Sequence, residues 1–314
     1  FFERSMKKLL IVGGSGFFGK SFIYYFNVNS FKKWGIDEII ISSRTKQKIL
    51  GIETVIYDSK VDHTLPEAEY IIYAASSTNP NTYRTNPDLE INQQTEAINK
   101  FKKIIDSFAN PPKKIIYLSS GAVYGQSNLN KMQTDERFTK LKPDDHQNEK
   151  KFYAKIKSQW ENFLLSQYPE QSIIARCFAF IGPQLSLKSH FVMGYFINQF
   201  IQNKSIQPSS HHQVVRSYMH TDDLIEWLLH LLIHVSPQHY PIVNVGSDEA
   251  VEIHALANIF NQLAGQHMLD FEIDVSLSDR YVPNTSLARD LLGLKLKYNL
   301  EESINRTIDA HKKY

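Results

Sequence analysis

The stretch Ile11-Val12-Gly13-Gly14-Ser15-Gly16-Phe17-Phe18-Gly19 decides the fold of this 314-residue chain. An apolar run that ends at Val12 precedes it and predicts a short buried strand. The residues after it, 20–26, are mostly apolar and predict a helix. A strand, a glycine-rich turn and a helix in this order are typical of the first unit of a dinucleotide-binding fold, although an ordinary strand-to-helix turn is the alternative.

Three glycines of this stretch have separate expected roles. Gly13 makes the tight turn, Gly16 lets the backbone approach a pyrophosphate, and Gly19 lets the helix pack close to the strand. The backbone N–H groups at the helix N-terminus then bind the negative charge. We therefore expect a nucleotide site near the start of the chain.

Composition excludes several classes of protein. A formal net charge of +2 argues against a nucleic-acid-binding protein that relies on phosphate contacts. Cys177 is the only cysteine, so we expect no disulfide framework and no metal site, and no acid or cysteine stands at ligand spacing from His211 and His212. The longest apolar run is too short to cross a membrane, and the N-terminus lacks a signal-peptide pattern, which makes the cytoplasm the simplest localisation.

Strand and helix signals alternate through the first half and predict a parallel sheet with helices on both faces. The predicted strands after the first are 37–42, 53–57, 69–74, 114–118 and 172–178, and the predicted helices are 88–109 and 149–167, with a polar loop over 126–148. The fold class is therefore α/β, a doubly wound Rossmann sheet with a smaller, mixed α/β C-terminal substrate lobe.

The pattern loosens after Gly182-Pro183. Further helices are predicted at 191–202, 222–235, 251–263, 285–292 and 300–312, the last capped by Asn299, with a strand at 241–245. We expect residues 6–180 to form the NAD(P)-binding domain, with 217–247 returning to it. Residues 181–216 and 248–314 are then expected to form the substrate-binding lobe.

Tyr153 and Lys157 stand four residues apart in a predicted helix and so share one face. A lysine ammonium beside a phenol favours the phenolate and is expected to lower the pKa of the tyrosine, which makes it a usable acid or base. Ser120 follows the predicted strand 114–118, at the sheet edge where α/β sheets bind ligands. A chance tyrosine on an exposed helix and a serine-rich turn are the alternatives.

Together these motifs resemble the extended short-chain dehydrogenase/reductases of the NAD-dependent epimerase/dehydratase group, over nearly the whole chain. The matching positions are Gly13, Gly16, Gly19, Asn92, Ser120, Tyr153, Lys157, 176–183, 216–223 and 244–247. The resemblance implies an enzyme that acts on a nucleotide sugar, with Ser120, Tyr153 and Lys157 as catalytic residues.

The resemblance also implies the binding residues. The cofactor set is Gly13, Gly16, Phe17, Phe18, Gly19, Ser43, Arg44, Asp58, Ala74, Ala75, Asn92, Tyr153 and Lys157, and the substrate set is Ser76, Ser120, Arg216 and Arg280. Arg216 and Arg280 resemble the diphosphate contacts of the family, and arginine offers several donors in a fixed geometry. A turn residue at Asp58 and surface arginines at 216 and 280 are the alternatives.

Two positions depart from the family pattern. Ala179 stands where the family often has a substrate-binding asparagine. Gly121-Ala122 stands where the 4,6-dehydratases carry an Asp-Glu pair for water elimination, which weakens the dehydratase interpretation.

The end of the second strand indicates the cofactor. NAD-binding proteins place an acid there on the ribose hydroxyls, whereas this chain has Ser42-Ser43-Arg44-Thr45-Lys46. Arg44 is suited to a 2′-phosphate through its planar guanidinium. We therefore expect NADP, with NAD as the alternative.

These observations favour a 4-keto nucleotide-sugar reductase, with a C4 epimerase or a dehydratase of the same family as the alternative. A non-catalytic cofactor-binding protein would not need Ser120, Tyr153 and Lys157. The resemblance implies a homodimer in which helices 88–109 and 149–167 pair into a four-helix bundle. The apolar face proposed for it comprises Ile98, Phe101, Ile104, Ile105, Phe163 and Leu164, and packing on the chain's own sheet is the alternative.

Overall fold

A computed structural model describes residues 6–76, 80–129, 141–146, 150–188 and 191–312. Its strands are β1 Lys8–Val12, β2 Glu38–Ser43, β3 Lys48–Ile49, β4 Ile52–Glu53, β5 Val55–Ile56, β6 Tyr70–Tyr73, β7 Lys114–Ser120, β8 Ser172–Cys177, β9 Phe180–Ile181, β10 His212–Arg216, β11 Met219–His220, β12 Ile242–Val245, β13 Val251–Glu252 and β14 Asp274–Tyr281. Its helices are α1 Phe17–Asn29, α2 Pro80–Thr85, α3 Pro87–Asp106, α4 Gln126–Leu129, α5 Lys150–Gln167, α6 Val192–Ile201, α7 Thr221–His234, α8 Ile253–Leu263 and α9 Leu300–Lys312.

The main sheet has seven strands in the order β12-β8-β7-β6-β1-β2-β5. The five neighbouring pairs from β8 to β5 are all parallel. Its central strands are buried apolar runs, as parallel strands covered on both faces require. The predicted Rossmann architecture is confirmed.

The described residues divide into two compact units. The first lies within 1–125, 140–177 and 225–243, and the second within 126–139, 178–224 and 244–314. The second unit contains a three-stranded sheet, β13-β10-β14, and a two-stranded sheet, β11-β9, together with helices α6, α8 and α9. A smaller mixed α/β lobe is therefore confirmed, while the domain boundaries given above, and which unit binds substrate, stay predictions.

Trp160 fixes helix α5 against the main sheet. Its ring stacks on Tyr117, with centroids 5.5 Å apart, and lies 4.3 Å from the Tyr73 ring. Phe101 of α3 joins the same cluster, and all four rings are buried. The packing of Trp160 on Tyr117 therefore sets the distance between helix α5 and strand β7.

The predicted strand 53–57 is interrupted at Thr54. The Thr54 hydroxyl bonds to Ser43 at 2.8 Å and accepts from the N–H of Gln47 at 3.0 Å. These contacts turn the chain, so residues 52–53 form the β3–β4 hairpin and residues 55–56 form the sheet edge.

The second unit differs most from the prediction. Strands β10 and β14 pair in parallel but were not predicted. In β14 the apolar residues Val275 and Leu277 are exposed, so its alternation does not mark a buried face. The predicted helix 285–292 is a π-helical turn over Leu287–Leu291.

The predicted loop 126–148 is described only in part. Residues 126–129 form α4, and Pro143–Asp145 form a 3-10 turn. Residues 130–140 and 147–149 lie outside the described ranges, as does the predicted first residue of the helix at 149. The cap at Asn299 is confirmed, since its side chain accepts from the N–H of Glu302 at 2.9 Å.

The apolar face proposed for dimerisation is wrong for four of its six residues. Phe101, Ile104, Ile105 and Leu164 are buried in the chain's own core, where α3 and α5 pack on the sheet, and Ile98 and Phe163 pack against the same core. The homodimer itself stays a prediction.

Among the described residues, no helix is long and apolar enough to cross a membrane. Across the same ranges, no group of three or more histidine, cysteine, aspartate or glutamate side chains is placed to hold a metal ion.

Candidate active site

The glycine loop is as tight as its sequence suggests. Gly13 has φ +97°, and a Cβ there would lie 2.7 Å from the backbone nitrogen of Ala75. A Cβ on Gly19 would lie 2.2 Å from Cα of Gly14. Both positions therefore exclude any side chain, the first also because its φ disfavours one.

Gly14 is a residue that sequence reasoning missed. A Cβ at this position would lie 1.8 Å from Cγ2 of the buried Ile41, and its N–H donates to the carbonyl of Ser42 at 2.8 Å. Its place inside the glycine stretch is the signal that would have found it.

Helix α1 begins directly after the loop, with Gly16 as its N-cap. No side chain of the described residues caps it, and its first turn contains no acid. The half-buried rings of Phe17 and Phe18 meet edge-to-face, with centroids 5.6 Å apart. The N-terminal end of α1 thus offers backbone donors and a positive dipole to an anion.

At the end of β2, Ser43 and Arg44 have different environments. The buried Ser43 hydroxyl donates to the carbonyl of Thr45 at 2.6 Å and bonds to Thr54. It therefore fixes the loop that carries Arg44, whose side chain is exposed. An exposed guanidinium on a fixed loop fits recognition of a phosphate.

The remaining predicted cofactor residues lie around the ends of β5 and β6. The Asp58 carboxylate accepts from the N–H of Lys60 at 2.9 Å, which is a turn contact. Lys100 of α3, which sequence reasoning missed, donates to the carbonyl of Asp58 at 3.0 Å. Residues 74–76, Ala74, Ala75 and Ser76, are half-buried directly after β6, and Asn92 is exposed on α3.

The structure brings Ser120, Tyr153 and Lys157 together. The Ser120 hydroxyl is hydrogen-bonded to the phenol of Tyr153. The buried Lys157 ammonium donates to the carbonyl of Leu118 at 2.8 Å and lies 5.6 Å from the centre of the Tyr153 ring. Serine, tyrosine and lysine side chains can donate and accept protons, so this cluster at the carboxyl end of β7 is the candidate proton-transfer site.

The pKa of Tyr153 differs from the sequence prediction. Burial raises the pKa of Tyr153 to about 12, and the hydrogen bond from Ser120 opposes that rise. Burial also lowers the pKa of Lys157 to about 8. The predicted lowering of the tyrosine pKa by the lysine is thus wrong in net sign, because desolvation of the phenolate outweighs it.

Behind this site lies a buried ion pair that sequence reasoning missed. Glu161 of α5 accepts from Arg176 of β8 at 2.6 and 3.0 Å, and from the hydroxyl of Ser119 at 2.5 Å. The guanidinium carbon of Arg176 lies 4.8 Å from the centre of the Tyr124 ring. The spacing of Glu161, four residues after Lys157, is the signal that would have found it.

The turn after Ser120 carries no acid. Gly121–Tyr124 form a buried 3-10 helix, and a ring nitrogen of His146 lies 2.6 Å from the carbonyl of Ala122. The glycine and alanine seen in the sequence therefore leave no carboxylate at this place.

In the second unit, Arg216 is held by the chain itself. Its guanidinium pairs with the Asp279 carboxylate at 2.7 Å and donates to the carbonyls of Val215 and Asp279. Burial lowers the pKa of Arg280, which is half-buried on β14. Arg216 and Arg280 both remain candidate substrate contacts. The guanidinium of Arg216 would have to bind a substrate while it also donates hydrogen bonds to Asp279.

The residues of the first unit fit a dinucleotide. The backbone of Ala75 passes so close to Gly13 that a Cβ there would collide with it. The N-terminus of α1 offers N–H donors to an anion. The ends of β1, β2 and β6 lie side by side at one edge of the sheet, where α/β folds bind dinucleotides.

Comparison with known proteins gives matches across the chain. The model of the NAD dependent epimerase/dehydratase family matches residues 9–246. UDP-glucuronic acid decarboxylase 1 of Xenopus tropicalis is 23% identical, over 99% of this chain and 73% of that protein.

Solved structures share the fold. UDP-glucose 4-epimerase of Thermotoga maritima, with UDP-glucose, has a TM-score of 0.71 at 17% identity, over 98% of this chain and 99% of that one. dTDP-glucose 4,6-dehydratase of Bacillus anthracis, in complex with NAD, has a TM-score of 0.75 at 16% identity, over 98% and 97%.

Proposed function

This chain belongs to the NAD-dependent epimerase/dehydratase family of enzymes, and from that premise we propose that it is an NAD(P)-dependent oxidoreductase of nucleotide sugars, with net reduction of a 4-keto sugar as its reaction. The observation that carries the proposal is the hydrogen-bonded Ser120–Tyr153 pair beside Lys157. C4 epimerisation, which uses the same three residues, is the second candidate.

The protonation state of Tyr153 supports the reductive direction. A phenol with a pKa of about 12 keeps its proton at neutral pH, so it is ready to donate that proton to a developing alkoxide. Ser120 is placed to donate a hydrogen bond to the same oxygen, and Lys157 supplies positive charge that stabilises the tyrosinate left behind. A bound nicotinamide cofactor supplies or accepts the hydride at the sugar carbon.

The 3-10 turn after Ser120 argues against elimination. Loss of water next to a ketone needs an acid and a base on the substrate, and Gly121 and Ala122 supply neither. This favours reactions that move only a hydride and a proton. UDP-glucose 4-epimerase, one of the similar structures, is the reason that epimerisation is kept as the second candidate.

Net consumption of NADPH distinguishes reduction of a ketone from epimerisation. The purified protein is offered a panel of 4-keto nucleotide sugars and the matching 4-hydroxy nucleotide sugars, and NADPH absorbance and product identity are followed together. One NADPH consumed for each ketone reduced is the expected result. Interconversion of 4-hydroxy epimers with no net change in NADPH would replace reduction with epimerisation.

Arg44 is proposed to select NADP. We expect the unaltered protein to bind NADPH about tenfold more tightly than NADH, and Arg44→Asp to erase or reverse this preference, because a carboxylate would face the 2′-phosphate. Calorimetric titration measures both affinities. Lys113→Asp makes the same charge change at the exposed residue before β7 and should keep the preference. Tighter binding of NADH by the unaltered protein would refute the assignment.

We further propose a homodimer, as the family resemblance implies. Light scattering at micromolar concentration is expected to give twice the 36.3 kDa mass of the chain. Because four of the apolar residues first proposed for the interface are buried within the chain, we propose that the contact uses exposed residues of α3 and α5, such as Leu89, which is 50% exposed. A mass of one chain across a hundredfold range of concentration would contradict this prediction.

A further inference from the structure

Three successive residues at the end of β7 each bond to one of three side chains on α5. The carbonyl of Leu118 accepts from Lys157, the hydroxyl of Ser119 donates to Glu161, and the hydroxyl of Ser120 bonds to Tyr153. Residues 153, 157 and 161 are spaced by four and lie along one side of the helix. Each of the last three residues of β7 is thus bonded to one side chain of α5, and Glu161 bonds to the middle one, Ser119.

Glu161 is an unusual residue for this place. It is 1% exposed, and a buried carboxylate is costly unless it is paired and fully hydrogen-bonded. Its oxygens accept one bond from Ser119 and two from Arg176, which is itself 2% exposed. Apolar side chains in these positions would pack β8 on α5 as well, so the burial of two charges needs a reason beyond stability.

We propose that Glu161 is a positioning residue: it fixes the end of β7 against α5, so that Ser120 and Tyr153 meet, and it provides the counter-charge that keeps Lys157 protonated. This inference rests on the proposed function. Glu161 itself touches neither the reacting atoms nor the cofactor; it acts through Ser119 and Lys157. Arg176 completes the arrangement by holding the carboxylate in place with two hydrogen bonds and by packing on Tyr124, two residues after Ala122.

Among the described residues, Glu161 is the anion beside Lys157. In that part of the chain, the titratable and charged groups around Lys157 and its counter-charge are Tyr153 and Glu161 on α5, Tyr117 on β7, and Arg176 and Cys177 on β8. Burial raises the pKa of Cys177 to about 12, so its thiol is neutral where Lys157 titrates, and Tyr117 is buried with a raised pKa. Removal of the Glu161 charge should therefore destabilise the Lys157 ammonium.

The direct test is the protonation of Lys157, which needs no substrate. NMR of the lysine ε-carbon, assigned by the signal lost in Lys157→Met, is followed against pH in ¹³C-lysine-labelled protein. We expect Glu161→Gln to lower the midpoint by about half a unit to one unit, because an anion near the ammonium is lost. Glu90→Gln, at a buried glutamate of α3, should leave the midpoint unchanged.

A second variant guards against misfolding. Glu161→Gln leaves Arg176 buried without its partner, whereas the double variant Glu161→Gln, Arg176→Met removes both charges and should fold, because joint replacement of a buried pair is often tolerated. The Lys157 midpoint should shift less in it than in Glu161→Gln, because loss of the Arg176 cation opposes loss of the Glu161 anion. A wild-type midpoint in folded Glu161→Gln would overturn the proposal, and if that variant does not fold, the kinetics of Ser119→Ala decide.

Kinetics separate positioning from charge. Ser119→Ala removes the bond to β7 but keeps the ion pair, so we expect kcat to fall about 10- to 100-fold, with KM for the sugar nearly unchanged and the Lys157 midpoint unaltered. An unchanged kcat would refute the positioning role. If the wild-type protein turns over no nucleotide sugar, the proposed function fails, and the NMR titration still decides the role of Glu161.

Discussion

Replacement of Tyr153 by phenylalanine is expected to lower kcat by about 10³- to 10⁴-fold, the largest effect of any single change at the site. Phenylalanine keeps the ring, which meets Tyr83 edge-to-face with centroids 5.8 Å apart, and removes only the hydroxyl that bonds to Ser120. The loss therefore reports proton transfer and not packing.

The measurements are initial rates with saturating NADPH and a calorimetric titration of the cofactor. Cofactor affinity should stay within about threefold, because the hydroxyl contributes a single hydrogen bond. Tyr168→Phe is the matched control: Tyr168 bonds to Asp106 at 2.7 Å, follows α5 and precedes β8 at the opposite sheet edge, so its loss should not alter kcat. A Tyr153→Phe variant with near wild-type turnover would remove Tyr153 from the reaction.

Gly19→Ala is expected to destabilise the fold and to abolish cofactor binding. The added methyl group would lie 2.2 Å from Cα and 2.4 Å from the carbonyl oxygen of Gly14, and both are backbone atoms that cannot turn aside. Helix α1 must then move away from the loop, at a cost of about 2–3 kcal/mol in the free energy of unfolding. Cofactor affinity should fall by more than about 100-fold, because the N–H groups of the helix N-terminus move with it.

Gly16→Ala is the control within the same loop. There a methyl group would meet only the carbonyl oxygen of Gly13, at 3.6 Å, and the residue has φ −81°, which any residue adopts. Denaturant unfolding should change by less than about 1 kcal/mol, while cofactor affinity still falls, because the methyl group occupies the path of the pyrophosphate. Equal destabilisation by both variants would show that the two glycines do not have separate roles.

The sequence alone determined the features that depend on neighbouring residues. Apolar runs predicted the buried strands of the parallel sheet, since a run of about four to eight apolar residues is typical of a strand that is covered on both faces. The glycine spacing predicted the turn before α1, because only glycine adopts φ +97° freely and admits backbone at 2.7 Å. The helical spacing of Tyr153 and Lys157 likewise predicted that they share one side of α5.

The tertiary structure decided what depends on burial and on partners distant in sequence. The pKa of Tyr153 is raised because surrounding segments of the chain desolvate it. The spacing of Tyr153 and Lys157 in the sequence gives no information about that burial. The Glu161–Arg176 pair joins residues from a helix and a later strand. Strands β10 and β14 stand about 60 residues apart, and the apolar residues of β14 face solvent, so no local pattern marks their pairing. The periodicity of a sequence shows which side chains share one face of a helix or strand. Only the folded chain determines which atoms pack on that face and how much water they exclude.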